Sequence, residues 1–110
     1  MKRLTRRLLA TSMLFATGCG SASFQYVPTT GEQTQPKAVG CDFAILSTPP
    51  TREYIELGVL QPNSQFRTKD VQVFRQQVDA DVCRAGGDAV LAEINGTGQY
   101  VRGTVIRYEQ

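Results

Sequence analysis

The sequence contains neither histidine nor tryptophan. Without histidine it lacks the most common metal ligand and the usual general base near neutral pH. Its few cysteines cannot complete a structural zinc site by themselves, because such a site takes four ligands. No pairing of a nucleophile with a base is visible either. We therefore expect no metal, no cofactor and no enzymatic activity.

Basic charge is scarce once the first 18 residues are set aside. The full chain has a formal net charge of +2. Four of its 12 Lys and Arg residues lie in residues 1–18, which leaves eight against 10 Asp and Glu, a formal charge of −2. This acidic balance of residues 19–110 as a whole gives no support to binding of nucleic acid or of anionic lipid.

Residues 1–18 have the order of a secretory signal peptide, with basic residues first, then an apolar run, then small residues. The apolar run, from Leu8 to Phe15, is far shorter than the ~20 residues that cross a bilayer as a helix. The end of the segment, Ala16-Thr17-Gly18-Cys19, resembles the bacterial lipobox, whose cysteine is acylated and becomes the new N-terminus. We expect Cys19 to be the lipidation site, carrying palmitate and anchoring the chain to the membrane. The alternative is an ordinary signal cut near Ala16, which leaves Cys19 a free thiol.

Residues 19–40 have the composition of a flexible tether that begins at the lipidated cysteine. They are rich in Gly, Ser, Thr, Gln and Pro and show no sustained period of 2 or 3.6 residues. Their only group of large apolar side chains is Phe24, Tyr26 and Val27, which could contact either the folded domain or the lipid interface.

Residues 41–110 have the pattern of a small α+β domain. Apolar or alternating segments predict strands at 41–47, 54–60, 88–95 and 99–108, with a hairpin turn at Asn95–Gly98. A helix capped by Thr68 or Asp70 is predicted by apolar residues at helical spacing, and Gly86-Gly87 ends it. Those apolar residues are Val71, Phe74, Val78, Val82 and Ala85. The predicted fold is ββαββ, a four-stranded mixed sheet with the helix on one face.

Cys41 and Cys83 are a candidate disulfide, because an exported protein folds in an oxidising compartment. Cys41 opens the first predicted strand and Cys83 lies in the last turn of the helix. A bond between them requires the first strand to run parallel to the third. The alternative is two separate buried thiols.

The sheet face away from the helix is a candidate binding surface. Tyr100, Arg102, Thr104, Ile106 and Tyr108 are expected to share one side of the last strand. Tyr and Arg are enriched in binding hot spots, so Tyr54, Arg102 and Tyr108 are the candidate partner-binding residues. The alternative is a solvated face with ordinary cross-strand pairs.

Two short motifs carry a family resemblance: Glu56-Leu57-Gly58-Val59, and, after the helix, Ala85-Gly86-Gly87-Asp88-Ala89-Val90-Leu91. Across residues 43–106 the chain resembles the C-terminal domain of the Rcs envelope-stress sensor lipoprotein and small bacterial domains of the YbjQ type. The resemblance implies the ββαββ scaffold. With Gly20 rather than Asp after the lipid cysteine, it also implies sorting to the outer membrane. The Rcs sensor has two disulfides, whereas this chain has one possible pair.

These observations lead to the expectation of a non-enzymatic outer-membrane lipoprotein whose periplasmic domain binds another protein of the cell envelope. The alternatives are a small-ligand or metal-binding module, which requires a concave pocket with convergent polar groups, and a purely structural envelope protein.

Overall fold

The computed structural model describes residues 24–31, 34–63 and 67–109. In these residues it contains the strands β1 (Phe24–Pro28), β2 (Ala44–Leu46), β3 (Tyr54–Pro62), β4 (Ala89–Ile94) and β5 (Tyr100–Tyr108), and the helix α1 (Val71–Ala85) between β3 and β4. The strands form one sheet in the order β1-β3-β5-β4-β2. The α+β class is therefore confirmed, with five strands instead of four. The predicted signal peptide and Cys19 lie outside the described residues.

Strand β1 is the element that the sequence analysis did not predict, because it lies in the stretch expected to be a tether. It pairs antiparallel with β3, with Phe24 opposite Pro62 and Pro28 opposite Gly58. Phe24 is only 2% exposed, and its ring meets the ring of Phe74 edge-on at 5.3 Å. Burying a Phe side chain stabilises a fold by ~1.5–3 kcal/mol. Of the two alternatives for this apolar group, contact with the domain is the one observed.

Helix α1 begins and ends at the expected residues. The Asp70 carboxylate caps its N-terminus and accepts hydrogen bonds from the N–H groups of Gln72 and Val73. Gly86 ends it in the left-handed conformation, with φ of 79°, a backbone region that favours glycine. The expected apolar face is buried at Phe74, Val78 and Val82, whereas the first member of that stripe, Val71, is partly exposed.

The main hydrophobic core lies between α1 and one face of the sheet. The helix contributes Phe74, Val78 and Val82 to it. Side chains from four of the five strands complete it: Phe24, Leu57, Leu60, Val90, Ala92 and Val105.

Strand β2 runs parallel to β4, with Ala44 opposite Ala89 and Leu46 opposite Leu91. This confirms that the first predicted strand is parallel to the third, and so confirms the mixed sheet. The Cys41–Cys83 disulfide is present, with the two Cα atoms 5.9 Å apart. It closes a loop with a sequence separation of 42 residues. Such a closure contributes ~4 kcal/mol in the chain-entropy account.

The face of the sheet opposite the helix is partly covered. Strands β2 and β3 run in the same direction but are separated by β5 and β4, so the connection at 47–53 must cross the sheet. Val105 belongs to the core under the helix, so its neighbour Ile106 points to the opposite face, where it is nevertheless fully buried. In the crossing connection, the guanidinium of Arg52 lies 4.0 Å from the ring centroid of Tyr108. The expectation of an uncovered face is thus wrong for this part of the sheet.

Candidate functional site

Two of the three candidate binding residues lie side by side. Tyr54 is opposite Tyr108 in the pairing of β3 with β5, and both side chains are half-buried. The Arg52 guanidinium stacks on the Tyr108 ring. A cation over an aromatic face is attracted by the negative centre of the ring. Arg52, Tyr54 and Tyr108 together are called the tyrosine cluster below.

The third candidate, Arg102, lies near the other end of β5. It is opposite Glu93 of β4, and its Nε lies 3.8 Å from the Glu93 Oε2. Tyr108 lies six positions further along β5, which at ~3.3 Å per residue places the two about 20 Å apart. The three candidate residues therefore do not form one compact surface.

Tyr100 was expected on the same side as Arg102, and this is wrong. The pairing of β4 with β5 shifts by one residue between Glu93 and Ile94, so the alternation of side chains is interrupted there. As a result the Tyr100 ring packs under the helix, stacked on Phe74 with centroids 4.6 Å apart.

The second half of the predicted tether is hydrogen-bonded to residues along one face of α1. The Lys37 N–H donates to the Cys83 carbonyl at 2.7 Å, and the Gly40 N–H donates to the Asp79 carboxylate at 2.9 Å. Further along, the Arg75 guanidinium donates to the Phe43 carbonyl at 2.7 Å. Arg75, Asp79 and Cys83 are four residues apart, which places them on one face of the helix. Residues 37–43 follow that face.

Lys37 and Asp88 form a polar group that links parts of the chain distant in sequence. The Lys37 Nζ donates to the Asp88 carboxylate at 2.8 Å and to the Gly87 carbonyl at 2.9 Å. The Tyr108 N–H donates to the other oxygen of the Asp88 carboxylate at 2.9 Å. Burial alone would raise the pKa of Asp88, but these hydrogen bonds and the charges of Lys37 and Arg107 outweigh it and hold that pKa below its ordinary value. The contacts join three segments, namely the one before β2, the turn after α1 and the end of β5, and they stabilise the fold.

An open depression of about 510 Å³ lies beside this group. Its lining is Asp42, Phe43, Ala44, Arg75 and Asp88. Arg75 is bonded to the Phe43 carbonyl and lies 4.6 Å from the Phe43 ring, while Asp88 is bonded to Lys37. Ligand sites use polar groups that converge on the ligand. Here two of the charged groups are already engaged within the protein, which disfavours a small-ligand site.

Tyr26 of β1 packs against the hydrophobic core on the helix side of the sheet, with its ring directly over Gly58. A Cβ added to Gly58 would lie 2.5 Å from the Tyr26 hydroxyl oxygen, so no larger residue fits without moving the ring. Burial raises the pKa of Tyr26, and the charge of Asp81 on the helix raises it further. The short motif around Gly58 therefore contains a glycine that serves the packing of β1.

No protein-family model, curated protein or solved structure matches the chain. Within residues 24–31, 34–63 and 67–109, no three or more His, Cys, Asp and Glu side chains are placed to hold a metal ion. In that same part of the chain, no helix has both the length and the apolar character needed to cross a membrane.

Proposed function

We propose that the protein is a lipid-anchored lipoprotein of the bacterial outer membrane, and that its folded domain faces the periplasm and binds another envelope protein without catalysing a reaction. The observation that carries the proposal is the Cys41–Cys83 disulfide in a chain that opens with a signal-peptide pattern. Disulfides persist in oxidising compartments such as the periplasm. With these two cysteines paired, Cys19 is the one left over, and it occupies the lipobox position.

The position of β1 supports a role close to the membrane. Phe24, the first residue of β1, follows Cys19 by five positions. Five residues of extended chain span at most ~18 Å. A lipid on Cys19 would thus hold the domain at the membrane surface. The Rcs resemblance and Gly20 both favour the outer membrane as its location.

The tyrosine cluster is the proposed partner-binding surface. Tyr and Arg combine a large contact area with polar groups and are enriched among hot-spot residues. Arg102, about 20 Å away along β5 and paired with Glu93, is left out of the proposed surface.

A purely structural envelope protein is the second candidate function. It is favoured by the pairing of Tyr54 with Tyr108 and of Arg102 with Glu93, since cross-strand pairs of these kinds stabilise ordinary sheets.

Crosslinking in intact cells, followed by purification of the full-length protein, distinguishes the two candidates. Wild type should capture a specific envelope protein, and Tyr54→Ala should lose it while melting as a folded domain. Arg102→Ala is the matched control and should retain the partner. Full capture by both Tyr54→Ala and Tyr108→Ala would reject the tyrosine cluster and favour the structural role.

A further inference from the structure

Three of the four exposed large apolar side chains among the described residues lie at the end of the fold where β1 begins. Among the described residues, four large apolar side chains are exposed: Val39 (71%), Val71 (38%), Val73 (39%) and Ile94 (44%). Val71 and Val73 lie in the first turn of α1, and Ile94 is the last residue of β4.

Contacts around Phe74 show that Val71, Val73 and Ile94 share one end with Phe24. The Phe74 ring contacts Phe24 at 5.3 Å and Tyr100 at 4.6 Å, and Tyr100 is opposite Ile94 in the sheet. The Tyr100 N–H also donates to the Thr68 carbonyl, just before the helix. Phe24, residues 67–74 and residues 93–102 are together called the anchor end below.

Charge is distributed unevenly between the anchor end and the rest of the domain. The anchor end contains three basic residues (Arg67, Lys69 and Arg102) and two acidic ones (Asp70 and Glu93). The other described residues include five basic and seven acidic side chains. Anionic lipid headgroups attract basic groups close to the surface and repel acidic ones. The charge distribution of the domain therefore favours an orientation in which the anchor end faces an anionic lipid surface.

The short length of chain between Cys19 and β1 also favours an orientation in which the anchor end faces the membrane. At most ~18 Å of chain joins Cys19 to Phe24, and Phe24 is part of the anchor end. Helix α1 has 15 residues and so is about 22 Å long, which separates its C-terminal end from the anchor end. Val39 is next to Gly40, whose N–H donates to Asp79 in the middle of α1, eight residues or about 12 Å along the helix from Val71.

We propose that the anchor end rests on an anionic lipid bilayer, with Val71, Val73 and Ile94 in the headgroup region and Arg67 and Lys69 towards the lipid phosphates. This inference rests on the proposed lipid anchor at Cys19. It also assigns an orientation, because Tyr54 begins β3 and Tyr108 ends β5, at the opposite end of the sheet from Phe24. The tyrosine cluster then points away from the membrane, where a periplasmic partner can reach it.

The absence of tryptophan from the sequence makes the orientation measurable with single reporters. Val71→Trp and Val39→Trp are made in the full-length lipidated protein, which is inserted into vesicles of phosphatidylethanolamine and phosphatidylglycerol with brominated acyl chains. Bromine quenches a tryptophan that reaches the lipid. Val39 is the more exposed of the two in the domain, so exposure to solvent alone cannot favour Val71.

The expected result is strong quenching of Val71→Trp and several-fold weaker quenching of Val39→Trp. Replacing Arg67 and Lys69 by Gln, or omitting the anionic lipid, should reduce the difference. Equal quenching, or stronger quenching at Val39, overturns the orientation while leaving the anchor intact if the protein still floats with the vesicles. A chain that carries no acyl group and does not float overturns the proposed function as well. Thermal melts of both variants confirm that each is folded.

Discussion

The Lys37 ammonium lies 2.8 Å from the Asp88 carboxylate, and this pair joins a segment expected to be a tether to the start of β4. Both side chains are only partly exposed. Asp88 also accepts the Tyr108 N–H, so one carboxylate connects the segment before β2, the turn after α1 and the end of β5.

Protonating Asp88 should therefore weaken the fold. Because the folded state lowers the pKa of Asp88 from its ordinary value of 3.8, the folded protein holds that proton less tightly than the unfolded chain does. The stability from this group is full above pH 3.8 and is lost as the pH falls through the lower folded pKa. We expect Asp88→Asn to be less stable than wild type at pH 7 and to lose less stability than wild type below pH 4.

Urea unfolding at a series of pH values from 7 to 2 measures this difference. Asp42→Asn is the control, since Asp42 is exposed and lies in the same region. An acid profile of Asp88→Asn that parallels that of wild type would contradict the role given to this carboxylate.

Removing the disulfide should lower stability strongly. Cys83 is fully buried, and the bond crosslinks a domain of small size. Loss of a native disulfide from a small exported domain costs ~2–5 kcal/mol. We expect Cys41→Ser and Cys83→Ser each to show a large fall in melting temperature, and reduced wild type to approach them. Wild type purified from cell membranes with two titratable thiols at these positions would contradict the bond.

Truncating Phe24 tests whether β1 belongs to the domain. A buried Phe replaced by Ala loses ~3–5 kcal/mol through lost burial and the cavity that remains. Phe24→Ala should therefore destabilise the domain strongly in urea unfolding, whereas Gln25→Ala, at the exposed next position, should change stability little. If the two variants unfold at the same urea concentration as wild type, β1 does not contribute to the fold.

Much of the architecture could be predicted from local patterns. The helix could be predicted from the apolar positions from Phe74 to Val82 and from the caps at Asp70 and Gly86. These signals depend only on residues that are a few positions apart in the sequence. The parallel orientation of β2 could be predicted because a bond between Cys41 and Cys83 requires β2 to run parallel to β4. Strand β1 could not be predicted, because its five residues form a strand only against β3 and end in a proline.

The candidate surface was predicted less well, for a related reason. Period-2 alternation places Tyr100 with Arg102, but the shift in register beside Ile94 depends on how β4 and β5 pair and is not visible in either strand alone. The burial of Ile106 on the face opposite the helix depends on the order of all the strands in the sheet, which a single strand does not reveal. The neighbourhood of Tyr54 and Tyr108, by contrast, is a simple consequence of two adjacent antiparallel strands.

Gly58 should be required for the Tyr26 ring to pack against β3. An added Cβ would clash with the Tyr26 ring, and overpacking of this kind costs ~1–3 kcal/mol. We expect Gly58→Ala to lower the melting temperature, and Gly96→Ala, at a position with open space around it, to change it far less. The double variant Gly58→Ala with Tyr26→Ala should lose less than the sum of the two single changes, since removing the ring removes the clash. Strict additivity would show that Tyr26 does not lie over Gly58.

Intact-mass and N-terminal peptide analysis of the protein purified from membranes tests the proposed lipoprotein most directly. The account predicts a mature chain that begins at Cys19, carries acyl chains on that residue and contains the Cys41–Cys83 bond. Cys19→Ser should lack the acyl mass and leave the membrane, since several acyl chains together give stable anchoring. A membrane-derived chain that begins near Thr17 with a free thiol at Cys19, or one that keeps residues 1–18, would contradict the account.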